Sequence, residues 1–440
     1  MCAKVLLSVI LCALLMHATS VDSNLEGFDD DLASIDENVL VNDKGTPKRL
    51  FSKFTGKLTE QVVYSWHNKA PHENISSVKS SLFLDYEHKI ENDIRIKMNV
   101  KVYYDAIYSF KGREDFSSQE LSELESEVEL FDAYVEGKLI DNLDYKIGRQ
   151  VVIWGRSDTI RVTDVLNPLD NRRPGMIDIE DLRLPVTMAK LDYFIGDWRM
   201  TPIVVLEQRF TKNPPFGGDF YPLLIAEPSH KNYNDVTYAL SVGAEFTGWD
   251  IDFYASRLRN DAGYIDSTVK PLFKHDKVNM FGTALNVLSG SWLFKTEIAH
   301  LAGLKYSATG DETFQRTDGL IGFEYNGIAD TFMSYDFVVR SIYNHNDRFL
   351  SEQNPLKKYN FQHAFRISKD FLNDTIMVNY LISLYGKKLN DGGFQRAWIK
   401  YNLTDGINLN VGVVDYTGGL VLFDAVKDKD MVFVDISYSF

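Results

Sequence analysis

The chain has 440 residues, 45% apolar and 13% aromatic, with a formal net charge of −15 and a mean hydropathy of −0.21. So acidic a chain is a poor partner for nucleic acid. Its two cysteines, Cys2 and Cys12, both fall in the N-terminal apolar segment, so disulfides and thiolate metal sites are excluded from the remainder.

Residues 1–20 read as a secretory signal: Lys4 precedes an apolar run over 5–16, and Ala18, Thr19 and Ser20 suit cleavage before Val21. The run is too short to span a bilayer, which takes about twenty apolar residues. Apolar residues also continue past Cys12 to Leu15 with no small residue before the cysteine, which argues against a lipoprotein signal. Removing Lys4 with the signal takes the net charge to −16. Residues 21–50 follow as an acidic, disordered periplasmic segment carrying Glu26, Asp29, Asp30, Asp31, Asp36 and Glu37.

From Phe51 the pattern has period two. In 94–106, Ile94, Ile96, Met98, Val100, Val102 and Tyr104 share one face, and Arg95, Lys97, Asn99, Lys101, Tyr103 and Asp105 the other. Similar runs cover 53–66, 78–89, 94–109, 128–139, 143–154, 186–195, 198–210, 236–247 and 250–259. They continue over 278–288, 292–304, 317–325, 331–343, 359–370, 375–385, 394–403, 407–416 and 431–440. The connections alternate between tight turns, such as Asp141-Asn142 and Gly196-Asp197, and long loops, such as 155–185 and 211–235.

Short periplasmic turns and long outer loops characterise outer-membrane barrels; a soluble sandwich gives no reason for the alternation. The last run sets Val432, Val434, Ile436, Tyr438 and Phe440 against Asp435, Ser437 and Ser439. It looks like the C-terminal strand that Gram-negative barrels present to the assembly machinery. The fold class expected for 51–440 is therefore all-β: a transmembrane antiparallel β-barrel of sixteen to eighteen strands, embedded in outer-membrane lipids.

Loop 156–185 has the densest mixture of charge, with Arg156, Arg161, Arg172, Arg173 and Arg183 interleaved with Asp158, Asp164, Asp170, Asp178, Glu180 and Asp181. A connection this long is functional or disordered. On a barrel it lies on the outer side, either folded into the lumen as a constriction or lying over the mouth. The strand before it poses a local problem. Glu136 faces Lys146 on the wet side, but strict alternation then puts Arg149 opposite Ala133 on the lipid side, at about 2–4 kcal/mol if mid-membrane. A bulge at Gly148 would turn Arg149 inward, near Asp132 and Glu136, and send Gln150 outward.

Gly148-Arg149-Gln150-Val151-Val152-Ile153-Trp154-Gly155, with Asn167-Pro168, Arg172-Arg173-Pro174-Gly175 and Leu184-Pro185-Val186, resembles a large family of Gram-negative outer-membrane barrels catalogued only as a domain of unknown function. That family's pattern runs G-R-Q-x-x-x-W-G, N-P, R-R-P-G and L-P-V; Arg156 stands where relatives commonly have an acidic residue. The resemblance implies a porin-like barrel. It also implies, as partners, an inner-membrane exporter of the resistance-nodulation-division type and a periplasmic carrier protein, handling lipids or other hydrophobic molecules.

The function expected is a porin-like channel or export conduit. Its candidate pore and loop residues are Arg95, Lys97, Lys101, Asp132, Glu136, Arg149, Arg156, Arg161, Asp164, Asp170, Arg172 and Arg173, with Lys400 and Asn402 also facing inward. Opposed charges across a lumen select solutes by size and charge, although ordinary solvated barrel positions have the same composition. The rivals are a barrel enzyme of lipase or protease type and a structural or adhesive barrel. His230, His275, His345 and His363 fall near loop ends, but no nucleophile motif accompanies them, so no catalytic residue is expected. No two histidines sit at ligand spacing, and neither metal nor cofactor is expected.

Overall fold

The computed structural model describes residues 51–440 except 91–93, 178, 224 and 311. The expected signal, the acidic segment, the Glu91-Asn92-Asp93 turn and Asp178 lie outside the described residues, as does the side chain of Glu180. In chain order the strands are β1 (Phe51–Ser65), β2 (Asn74–Ile90), β3 (Ile94–Asp105), β4 (Ser126–Ile140), β5 (Leu143–Gln150), β6 (Val186–Ile195) and β7 (Trp198–Val205). Then come β8 (Thr237–Phe246), β9 (Trp249–Arg259), β10 (Tyr264–Asp266), β11 (Leu272–Lys274), β12 (Lys277–Ser289), β13 (Trp292–Leu304) and β14 (Phe314–Ile328). The last six are β15 (Thr331–Ile342), β16 (Tyr359–Phe371), β17 (Ile376–Tyr385), β18 (Gly393–Thr404), β19 (Ile407–Thr417) and β20 (Met431–Ser439).

Eighteen of these form one antiparallel sheet; β10 and β11 make a separate hairpin within an outer loop. β20 pairs with β1 from Lys57 opposite Ser439 to Ser65 opposite Met431, closing the wall. The Phe440 and Gly56 backbones then exchange hydrogen bonds of 2.8 and 2.9 Å. Closure of the first strand on the last leaves neither terminal strand as a free edge, as a strand-built span in lipid requires. Among the described residues no helix is long and apolar enough to cross a membrane.

The two faces divide as the alternation requires. Phe281, Ile298, Ile321, Ile399, Val434 and Ile436 are exposed apolar residues on the outside. Between them the inner rows bury Met280, Ala299, Leu320, Trp398 and Phe433. Aromatic residues gather at the tight-turn end: Trp249 stacks on Phe246 at 4.4 Å, and Trp292 lies 4.4 Å from Tyr325. Such girdles mark the interface levels of a transmembrane barrel.

All eighteen expected runs are wall strands, and the tight and long connections alternate as anticipated. Three runs stop early, however. The run over 94–109 ends at Asp105 and turns into a short helix, Ile107–Lys111, whose Ile107 and Tyr108 pack with Phe116 and Leu124. The run over 143–154 ends at Gln150, and that over 198–210 at Val205. Beyond the first two, Tyr108 and Trp154 are buried inside the molecule, whereas Phe110, Ile153 and, after the third, Leu206 stay exposed.

Candidate functional site

At Gln150 the chain leaves the wall and turns into the lumen. Asn167 holds the turn: its Oδ1 accepts from Val152 N at 2.8 Å, and its Nδ2 donates to the Gln150 and Leu184 carbonyls at 3.3 and 2.9 Å. A buried Asn at 1% exposure that spends both ends of its amide on backbone ties the two loop stems together. Trp154, Ile160, Val162 and Leu166 then join Met188, Ile203, Met280 and Ala299 in the largest buried cluster, and Trp154 stacks on Tyr254 at 4.7 Å. The loop is therefore folded inward; it does not lie over the mouth.

Its first half is fastened to β9, β13 and β15. Glu297, 1% exposed, accepts from Arg156 N at 2.6 Å, Ser157 N at 2.9 Å, Thr163 N at 3.1 Å and Thr163 Oγ1 at 2.7 Å. Gly155 has φ +87, and a Cβ there would lie 2.7 Å from both Glu297 Oε2 and Thr163 Oγ1, so a residue with a side chain is excluded at this approach. Arg156 is paired to Asp250 and Asp252, while Ser157 and Thr159 donate to Asp336 Oδ2 at 2.7 and 2.6 Å. Lys295 reaches Asp158 at 3.5 Å. Within the loop Asp164 bridges Arg161, at 3.1 Å, and buried Arg183, at 2.8 Å.

The second half is fastened to β3, β4, β18 and β19. Arg172 donates to Asp170 Oδ2 at 2.5 Å and to Glu127 at 2.6 Å; Arg173 reaches Asp105 at 3.3 Å. Tyr416 OH donates to the Pro174 carbonyl at 2.5 Å, and Arg396 donates to Gly175 O at 3.4 Å. Burial alone would raise the Asp170 pKa, but the hydrogen bonds and charge of Arg172 outweigh it and hold the carboxyl below its ordinary value. One loop thus spans from β3 to β15 across the interior.

The remaining expected residues line the wall. Arg95 bonds Glu136 through Nε at 2.7 Å, Lys97 pairs with Asp85 at 3.4 Å, Lys146 with Glu136 at 3.5 Å, and Asp132 accepts from Asn99 at 3.1 Å. Lys101 faces a cavity of ≈ 120 Å³ beside the loop, with Lys79, Tyr103, Phe131, Arg173 and Met176. Asn402 donates to the Asp374 carbonyl at a tight turn, so it belongs to the turn end and not to the loop-crossed region. The four loop-end histidines have other partners: Glu227 for His230, Asn260 O for His275, Leu356 O for His345 and Tyr335 OH for His363.

The expected bulge at Gly148 is not found. Pairing runs regularly through Gly148 on both sides, with Arg149 opposite Ala133 and Thr187, and the extra residue lies instead in β4, where Leu130 to Ala133 span Val100 to Met98. Gln150 is buried at 1% exposure, its amide directed to the carbonyls of Lys146, Gly148 and Met188. Arg149 reaches Glu129 at 2.7 Å and Glu207 at 3.0 Å, not Asp132 or Glu136. The physical reason is the early end of β5: Arg149 lies one residue from that end, where Glu129 of β4 and Glu207 beyond β7 come within reach of its guanidinium.

Sequence reasoning missed the wall acids that receive the loop, chiefly Glu297, Asp336, Asp252, Glu127 and Asp105. A signal existed: in β13, Glu297 is an inward carboxylate directly before inward Ala299 and Leu301, a placement that calls for a partner from elsewhere.

A family model described as "Protein of unknown function (DUF1302)" matches residues 69–440. A comparison with curated proteins finds no match. Among solved structures, Pseudomonas aeruginosa OpdK with vanillate is similar with a TM-score of 0.53 at 9% identity, covering 88% of this chain and 98% of that one. Acinetobacter baumannii OccAB1 gives 0.54 at 8% identity, covering 88% and 96%. Pseudomonas aeruginosa OccK8 (OprE) gives 0.51 at 10%, covering 88% and 98%. The fold is that of Gram-negative outer-membrane barrels.

Proposed function

Taking as premise that this chain belongs to the DUF1302 family, we propose that it is a porin-like outer-membrane channel whose loop 151–185 restricts the pore. The observation that carries the reading is the loop's double anchorage, to Glu297 and Asp336 on one side and to Asp105 and Tyr416 on the other. A charged segment held across a wet lumen narrows it and presents opposed charges to any solute that passes. The barrel likeness to OpdK and the Occ proteins supports the channel class.

The test is conductance of purified protein in planar bilayers. Arg172→Ala with Arg173→Ala removes the pairs to Glu127, Asp170 and Asp105; single-channel conductance is expected to rise and ion preference to shift toward cations. Unchanged currents would place the constriction elsewhere, and no conductance in either protein would favour an enzyme or adhesin. Fractionation of cell envelopes tests the location, with the protein expected in the outer-membrane band.

A further inference from the structure

The wall is not of even height. β4 has fifteen residues, whereas β5 and β7 have eight each. At about 3.3 Å per residue and about 40° of tilt, eight residues rise roughly 20 Å, less than the apolar band of about 25 Å that such barrels present to lipid. β4 continues above them: its pairing with β5 ends at Ala133, and residues 126–132 have no strand on that side. Among the described residues, no backbone hydrogen bond joins 126–132 to the segment 206–212 that passes beside them.

That segment is fixed by its backbone to the inner structure, through Leu206 N to Thr187 O and Lys212 N to Leu169 O, both 2.9 Å. To β4 it is joined by side chains alone. Arg209 bonds Glu129 at 2.9 Å and Lys212 lies 3.4 Å from it, while Arg149 ties Glu129 to Glu207. Elsewhere the wall is a ladder of amide hydrogen bonds; here it is a seam of ion pairs. Side-chain pairs part without unfolding a strand, so this is where the wall can open.

Both sides of the seam suit one class of molecule. Outside, Val128 is 74% exposed, Leu206 53% and Leu130 41%, an apolar lip. Inside, the ≈ 120 Å³ cavity abuts Glu129 and Phe131 and has apolar walls from Met176 and Leu184. Five carboxylates and five cations line it. Arg172, Arg173 and Lys212 are paired, while Lys79 and Lys101 form no ion pair among the described residues and are left for an anionic group. An apolar body and an anionic head would each find a complementary surface.

We infer that the gap between β4 and the 206–212 segment is a lateral port, through which amphipathic anions pass between the lumen-side cavity and the surrounding lipid. This rests on the channel reading only in that the cavity must be reached from the lumen.

The test uses the exported chain in liposomes loaded with a fluorescent alkyl sulfonate, whose fixed charge keeps it from crossing bare lipid. Its arrival in the outer leaflet is followed by a quencher confined there, and KCl conductance is measured on the same preparation. Glu129→Gln with Glu207→Gln weakens the seam and is expected to speed arrival several-fold relative to KCl flux. Val128→Asp, on the exposed lip and outside the ion-pair network, is expected to slow it several-fold. Rates that track KCl flux in both variants assign the passage to the axial pore and overturn the port. Loss of KCl conductance with sulfonate transfer intact would instead overturn the channel reading and leave the port standing.

Discussion

Gly148 has φ +133, and a Cβ there would lie 2.2 Å from the Ala133 carbonyl oxygen and 2.6 Å from Tyr134 Cα. Gly148→Ala is therefore expected to push β4 and β5 apart at a cost of about 1–3 kcal/mol, read as a lower midpoint in heat-modifiable electrophoretic mobility. That this glycine was structurally special could be read from its place between Ile147 and Arg149. That it accommodates a close approach and not a bulge could not, because the extra residue had been inserted in the partner strand. Asp235 offers a different test. Burial raises its pKa, but hydrogen bonds from Arg259 and Lys277 outweigh that and hold it at about 2. A carboxylate lowered in the folded state stabilises above its unfolded value, about 3.9, and loses that contribution as pH falls toward the folded one. Hydrogen exchange in 206–236, corrected for its intrinsic rate, is expected to be protected at pH 5 and faster near pH 3, and Asp235→Asn is expected to abolish the difference.

At the scale of elements, alternation located every wall strand because an outward face that must be apolar and an inward face that must be wet leave a period no other element shares. It failed only where apolar residues had another destination. Val152 and Trp154 continue the period of β5 but pack on the loop's own buried cluster, and a run of residues does not reveal which apolar surface will cover it. The loop's inward placement was undecidable for the same reason: its partners Glu297, Asp336 and Tyr416 lie far along the chain. Since the wall's ladder does not depend on that loop, replacing 157–177 by a short Gly-Ser linker is expected to leave an assembled barrel. Such a barrel would show larger conductance in planar bilayers; equal conductance would mean the loop does not limit flow.

For the whole molecule, the closure of β20 on β1 and the dispersal of the loop's anchors set an order in time. Ser157 reaches a partner 179 residues away and Tyr416 one 242 residues away, and each contact exists only after the strand that carries it has taken its place in the ring. Contacts so distant in sequence form late, because the entropy of closing the intervening chain is lost before they are made. The loop therefore seats last, into a cylinder already complete. A newly closed barrel passes through an unobstructed stage, and refolding into detergent micelles is expected to give the compact electrophoretic form before Trp154 fluorescence reports its stacking on Tyr254.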